Sequence, residues 1–177
     1  SKQHKTGTDR IFEAYTKLNI KNVDYILNLQ GDEPNIDKND IIKLNSSMIN
    51  SNAEIGTLAA KISNDKLLND KNVVKVITES RLDKNNFPSA LNFTRDNLSK
   101  SNKNIYHHIG IYLYKVSALE KFVSLNQTIN EKKNKLEQLR ALDNKLKINV
   151  SLAKSSTIGV DTQEDYLAIK KIMDYKL

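Results

Sequence analysis

The feature that most constrains the fold is the stretch Val-Asp-Tyr-Ile-Leu-Asn-Leu-Gln-Gly-Asp-Glu-Pro from Val23 to Pro34. Tyr25, Leu27 and Leu29 alternate with Ile26 and Asn28, so this short, mostly apolar run reads as a buried strand entering a polar turn. Pro34 stops the strand, and Gly31 permits close backbone approach or a positive φ. In an open α/β sheet, ligands collect outside the carboxyl ends of the strands, where loops point polar groups at one crevice while the sheet stays rigid. Asp32 stands where a metal or a substrate phosphate would sit. Gly, Asp and Pro are also ordinary turn formers, and the same residues serve a plain surface turn.

The flanking segments supply the rest of an α/β alternation. A helix is predicted to start at Gly7 to Asp9 with Thr8 as N-cap, presenting Ile11, Phe12, Tyr15 and Leu18 on one face. Asp37 caps a second amphipathic helix carrying Ile41, Ile42, Leu44 and Met48. Strands are predicted over 55–62, 73–78, 90–95, 108–115 and 147–153, the second able to pair with the first. Further helices cover 117–123 and 131–142, the latter with Leu136, Leu139 and Leu142 at three-residue spacing. A closing helix runs from a Thr162 cap, with Glu164 in the capping-box position, to about Met173. Residues 79–88 and 96–104 are polar excursions. No internal repeat, heptad run or linker divides the chain.

Composition narrows the chemistry. The 177 residues with 38% hydrophobic content suffice for one domain with a real core. The net charge of +7 fits nucleic acid, an anionic metabolite or a Lys- and Asn-rich surface, but the lysines are scattered, and no RNA-recognition pattern or Cys-His finger is present. Nucleic acid is therefore not the expected partner. With no cysteine, any metal is a hard cation held by oxygen ligands, and a reducing cytoplasm is the expected setting. No apolar run approaches the roughly 18 to 20 residues that span a bilayer, so no membrane association is expected.

A second acidic element, Ile158-Gly159-Val160-Asp161-Thr162-Gln163-Glu164-Asp165, leads into the closing helix. Asp161 and Thr162 are good residues for a helix start. Together, however, Asp32 and Asp161 make a pair of loop aspartates, which is what Mg²⁺ needs when it is held by one or two carboxylates and by substrate phosphates. That pair points to phosphoryl or nucleotidyl transfer.

Five blocks then occur in one order: His4-Lys5-Thr6-Gly7-Thr8-Asp9-Arg10, Gln30-Gly31-Asp32-Glu33-Pro34, His108-Ile109-Gly110-Ile111-Tyr112, Leu136-Glu137-Gln138-Leu139-Arg140 and Gly159-Val160-Asp161-Thr162. In this the chain resembles the 3-deoxy-manno-octulosonate (Kdo) cytidylyltransferases, the CMP-Kdo synthetases, over almost its whole length. The resemblance implies a nucleotide-diphosphosugar transferase-like, Rossmann-like fold: a mixed, mainly parallel sheet with flanking helices. A smaller lobe around residues 79–145 would serve sugar binding and homodimer formation. The implied reaction is attack by the anomeric hydroxyl of Kdo on the α-phosphate of CTP, giving CMP-Kdo and pyrophosphate for lipopolysaccharide synthesis, with Mg²⁺ as cofactor.

Residue by residue, the matching motifs imply Asp32 and Asp161 as catalytic metal ligands. Arg95, in a block similar to the family's Phe-Ser-Arg, is implied for the sugar carboxylate, because a guanidinium grips a carboxylate with two hydrogen bonds. Gln30, His108, Glu137 and Gln138 are implied on the sugar, and His4, Thr6, Gly7 and Thr8 on the nucleotide side. Asp96-Asn97-Leu98 replaces the family's Ile-Pro stretch after Arg95, which leaves room for another sugar acid. The family's N-terminal strand and Gly-rich, Arg- and Lys-containing loop have no counterpart here, so residues 1–177 are expected to form a partial, N-terminally truncated domain that is inactive or nearly so alone. The alternative is a non-catalytic binding or assembly module.

Overall fold

A computed structural model describes residues 4, 6–62, 65–99, 104–155, 159–160 and 162–174. The chain alternates helices and strands: α1 (Gly7–Leu18), β1 (Tyr25–Asn28), α2 (Lys38–Ser51), β2 (Ile55–Lys61), α3 (Asp65–Asn69), β3 (Lys75–Thr78), β4 (Ala90–Thr94), β5 (Ile105–Lys115), α4 (Val116–Ser124), α5 (Ile129–Asn134), α6 (Leu139–Asp143), β6 (Ile148–Leu152) and α7 (Gln163–Asp174).

The sheet is built on β5, whose eleven residues pair on both sides. One side takes β2 antiparallel, and β2 in turn takes β6 parallel. The other side is shared: β3 pairs with 105–107 and β1 with 112–115, both antiparallel, and β4 closes the sheet on β3. Strands β1, β2, β3 and β6 therefore run one way, against β5 and β4. The sheet is mixed, as expected, but most direct pairings among the described strands are antiparallel because β5 is inserted between strands of common direction. The 73–78 segment accordingly pairs with β4 and β5 rather than with β2.

Alternation along β5 splits the core in two. Tyr106, Tyr112 and Tyr114 join α4, α6 and Phe93 on one face, while Ile109, Ile111 and Leu113 meet Leu44 and Met48 of α2 on the other. Gly56 admits that second contact: a Cβ there would stand 2.6 Å from Met48 Sδ.

Local corrections follow from capping chemistry. Thr6, not Thr8, caps α1, in a reciprocal capping box with Asp9, because Asp9 and not a later acid lies three residues on. At α7 the box partner of Thr162 is Asp165 rather than Glu164, for the same spacing reason. Strand β1 is a half-buried edge segment, with Leu27 37% exposed, because among the described strands it pairs with β5 alone. The single helix expected over 131–142 is two short ones. Lys135 adopts a left-handed conformation (φ 52°), and Leu136 turns into the core. The two are clamped by the Arg140 guanidinium, 2% exposed, which donates to both carboxylate oxygens of Glu131 at 2.9 and 2.6 Å and lies over the Phe122 ring. Burial alone would push Glu131 up; Arg140, with Gln127 and the Thr128 amide, holds it below the usual carboxylate range.

Candidate active site

The site begins where the edge pairing of β5 is interrupted. His108 N–H still donates to Val74 O before β3 (2.9 Å), and Tyr112 already pairs with Asn28 of β1. Between them, Gly110 N–H donates instead to the carboxylate of Glu33 (3.4 Å), from the turn after β1. Glu33 thus reaches across to the sheet, beyond the turn role that its neighbours suggest. Gln30 from the same turn lies over Gly110: a Cβ on Gly110 would come within 3.3 Å of Gln30 Oε1. Glycine at this position is what lets the Gln30 amide rest on the strand.

The opposite side of β5 bulges at the same level, with Thr57 facing Tyr112 and Leu58 facing Ile109. Thr57, fully buried, compensates by donating its hydroxyl proton to Ile111 O (2.6 Å). His108 Nε2 is 3.0 Å from that hydroxyl oxygen. Since the hydroxyl has only one proton, Nε2–H of a neutral imidazole is the donor and Nδ1 keeps its lone pair. Burial, followed by the charges of His107 and Arg95, pushes His108 down to about 3, which agrees with a neutral ring. Phe93 and Tyr112 pack against that ring at 5.1 and 5.4 Å.

From His108 a row of groups runs along the same face. Tyr112 stacks on Tyr114 (5.8 Å), whose hydroxyl is 3.5 Å from buried Thr8 Oγ1. Glu137, just before α6, faces both tyrosines electrostatically. Burial raises its carboxyl above the usual range, while hydrogen bonds from Thr6 and Thr8 and the Arg140 charge oppose this. Even so, Glu137 Oε1 and the Tyr112 hydroxyl are both buried without a hydrogen-bond partner. Unpartnered buried polar atoms cost about 1–3 kcal/mol each, and two of them stand along this face of β5.

The structure therefore gathers Gln30 and His108 at the Gly110 gap, and Glu137, Thr6 and Thr8 at the tyrosine end. Arg95 follows β4 and acts on His108 electrostatically, but its Nη1 donates to Asn72 O (2.7 Å) and Lys71 O (3.4 Å). Gln138 occupies the N-cap position of α6 without a side-chain capping bond. His4 sits apart, bonded to Glu13 and lining a cleft of about 260 Å³ with Asp9, Gln127 and Arg140. Gly7 opens α1 in open space: a Cβ there would have no neighbour within 4 Å.

Asp32 is exposed at the end of β1, and its carbonyl accepts from Val160 N–H (2.8 Å), so the loops after β1 and β6 meet outside the carboxyl ends of their strands. Asp161 lies outside the described residues. No group of three or more His, Cys, Asp or Glu side chains fit for a metal occurs among the described residues. Likewise, no described helix is long and apolar enough to cross a membrane.

Tyr112 and Thr57 were not singled out from the sequence. The period-two pattern of 105–115 places Tyr112 on the His108 face and could have found it, whereas Thr57 lies 51 residues away and carries no local signal.

Comparison with known proteins shows the family and the fold. A cytidylyltransferase family model matches residues 1–148. The chain is 41% identical over 175 residues to a 3-deoxy-manno-octulosonate cytidylyltransferase of Bartonella bacilliformis, covering 96% of this chain and 70% of that protein. The namesake protein of Bartonella henselae is 43% identical, with 97% and 70% covered. Among solved structures, a CMP:2-keto-3-deoxy-manno-octonic acid synthetase complexed with CTP superposes with a TM-score of 0.84 at 29% identity, covering 99% of this chain and 70% of that one. A UDP-glucose pyrophosphorylase at TM-score 0.67 and 12% identity shares the fold alone. With its polar row along β5 and two loops meeting beyond the strand ends, the chain belongs to the cytidylyltransferase family, among the 3-deoxy-manno-octulosonate cytidylyltransferases.

Proposed function

We propose that the protein transfers CMP from CTP to 3-deoxy-manno-octulosonate. The observation that carries this reading is the 41–43% identity to cytidylyltransferases of that name over 96% or more of the chain, on a face of β5 where polar groups converge. The anomeric oxygen attacks the α-phosphorus, the bond to pyrophosphate breaks, and the hydroxyl proton is lost.

The chain's own residues supply binding and orientation. Gln30 offers an amide over Gly110, and neutral His108 a ring lone pair at Nδ1. The Tyr112 hydroxyl and Glu137 Oε1, buried and unpartnered, accommodate a sugar hydroxyl between a donor and an acceptor. Nε and Nη2 of Arg95 make no hydrogen bond among the described residues and are assigned to the sugar carboxylate. His4, Thr6, Gly7, Thr8 and Gln138 support the reading only through their motifs, and Thr6 and Thr8 act through Glu137.

Asp32 fits a divalent cation: an exposed carboxylate at a loop end, in a chain with oxygen donors and no thiols, is the donor set of Mg²⁺ shared with substrate phosphates. Asp32, with Asp161, would hold the ion, which when bound neutralises phosphate charge as a Lewis acid. We place the enzyme in the cytoplasm, in lipopolysaccharide precursor synthesis, as a homodimer formed through the 79–145 lobe.

The test is pyrophosphate release from CTP with 3-deoxy-manno-octulosonate and Mg²⁺, using the natural full-length chain. Asp32→Ala is expected to lower kcat by about 100- to 1,000-fold, since a metal ligand supports several kcal/mol of transition-state charge stabilisation. Wild-type release with no sugar acid, or an undiminished Asp32→Ala rate, would overturn the reading.

A further inference from the structure

Lys75 is a cation in an improbable place. It is the first residue of β3, between β4 and β5, with 0% exposure, and its position faces Thr94 of β4 and His107 of β5. Alternation puts it on the face opposite Val76, Phe93 and Tyr106, which join the His108 core. Burying an ammonium is expensive unless its donors are used, and burial pulls Lys75 below the usual lysine range against the charges of Asp70 and Asp96. An apolar residue would fill a strand position of this kind without that cost.

The ammonium donates to two backbone carbonyls, Asp70 O (2.7 Å) and Arg95 O (3.1 Å). The first belongs to the turn between α3 and β3, and the second is Arg95 itself. Arg95 answers from the other direction: its Nη1 donates to Asn72 O (2.7 Å) and Lys71 O (3.4 Å) of the same turn. The two cations thus make a reciprocal clamp. Lys75 fixes the main chain of Arg95 and of the turn, and the turn fixes one edge of the guanidinium, leaving Nε and Nη2 to a ligand.

We infer that Lys75 is a positioning residue for the sugar acid: from the far face of the sheet it fixes the backbone that aims Arg95 at the substrate carboxylate. This rests on the cytidylyltransferase reading above. A bidentate carboxylate contact depends on orientation as well as charge, and a strand end held only by ladder bonds is free to swing. Lys75 removes that freedom without touching substrate.

The experiment measures KM for 3-deoxy-manno-octulosonate, KM for CTP, kcat and Tm for the natural full-length wild type, Lys75→Met, Lys75→Gln, Arg95→Ala and the double variant Lys75→Met with Arg95→Ala. Expected are a rise of about tenfold in KM for the sugar acid in Lys75→Met, a smaller rise in Lys75→Gln, which keeps an amide NH2 as donor, and about 100-fold in Arg95→Ala. In the two Lys75 single variants KM for CTP and kcat stay within about threefold, and Lys75→Met adds nothing further to the sugar-acid KM in the Arg95→Ala background. Unchanged sugar-acid KM in a folded Lys75→Met protein, equal losses for both substrates, or full additivity with Arg95→Ala would overturn the inference. So would failure of both Lys75 variants to fold, which would assign the residue to the fold alone. An inactive wild type would instead bring down the functional reading, and the inference with it; an active wild type with insensitive Lys75 variants brings down the inference only.

Discussion

The two faces of β5 are made by alternate residues of one strand and are physically unlike. Over 109–113 one face presents only Ile109, Ile111 and Leu113, which close on Leu44, Met48 and Leu58. The face carrying His108, Gly110, Tyr112 and Tyr114 is also largely buried, yet it holds an imidazole bonded to Thr57, a glycine under a glutamine and a hydroxyl with no partner. One face is optimised for folding. The other spends stability on polar groups, two of which have no hydrogen-bond partner, and this contrast is what supports the proposed substrate site.

The largest test of that contrast is on the apolar face. Ile111→Ala is expected to destabilise the fold by about 2–5 kcal/mol by leaving a cavity, read by urea unfolding, with sugar-acid KM unchanged in the folded fraction. A KM effect without a stability loss would erase the distinction between the faces.

The next effect is a pH dependence confined to the polar face. His108 is held at about 3 against an ordinary 6.5, so between these values the unfolded chain takes a proton that the folded chain refuses. Its contribution to stability is whole above pH 6.5 and is lost as pH falls from there toward 3, by about 1.4 kcal/mol per unit. Urea unfolding at pH 7 and pH 5 is expected to show a fall that is about 2 kcal/mol smaller in His108→Gln. Equal falls in the two proteins would mean that the ring is not held neutral. Glu137, with its raised value, contributes the opposite slope: stability present below the usual carboxylate value and lost as pH rises through the raised one.

Smaller still is Tyr112→Phe. Removing an unpartnered hydroxyl is expected to change stability by less than about 0.5 kcal/mol while raising sugar-acid KM roughly tenfold. A destabilisation comparable to that of Ile111→Ala would show that the hydroxyl serves the core. Gly110→Ala sharpens the picture most finely. Its methyl group would meet Gln30 Oε1 at 3.3 Å, so a few tenths of a kcal/mol in stability and a modest KM increase are expected, from a displaced amide and not a broken strand.

Much of this was legible in the residues. The turn at Gln30 to Pro34, the α/β alternation, the cap at Asp37 and the strand over 108–115 all follow from local rules; the structure keeps them and starts that strand earlier, at Ile105. Less legible were features whose partner lies far along the chain. Nothing near Glu33 says that it serves Gly110, 77 residues away. The break at Lys135 depends on Arg140 reaching back to Glu131, which a leucine stripe at three-residue spacing does not announce. Lys75, one lysine in a Lys-rich chain, reads as surface until the sheet encloses it.

Residue identity and short spacing were enough to set most of the element types and the family. Strand pairing set the rest: which strand is central, and that β1 and β3 share one edge of β5 with a gap between them. It also brought Gln30, His108, Tyr112 and Glu137 to one side. The physical reason is that sheet pairing and burial depend on contacts between residues distant in the chain: until β5 is placed between β2 on one side and β1 and β3 on the other, no local pattern says which polar groups will be left facing each other without water.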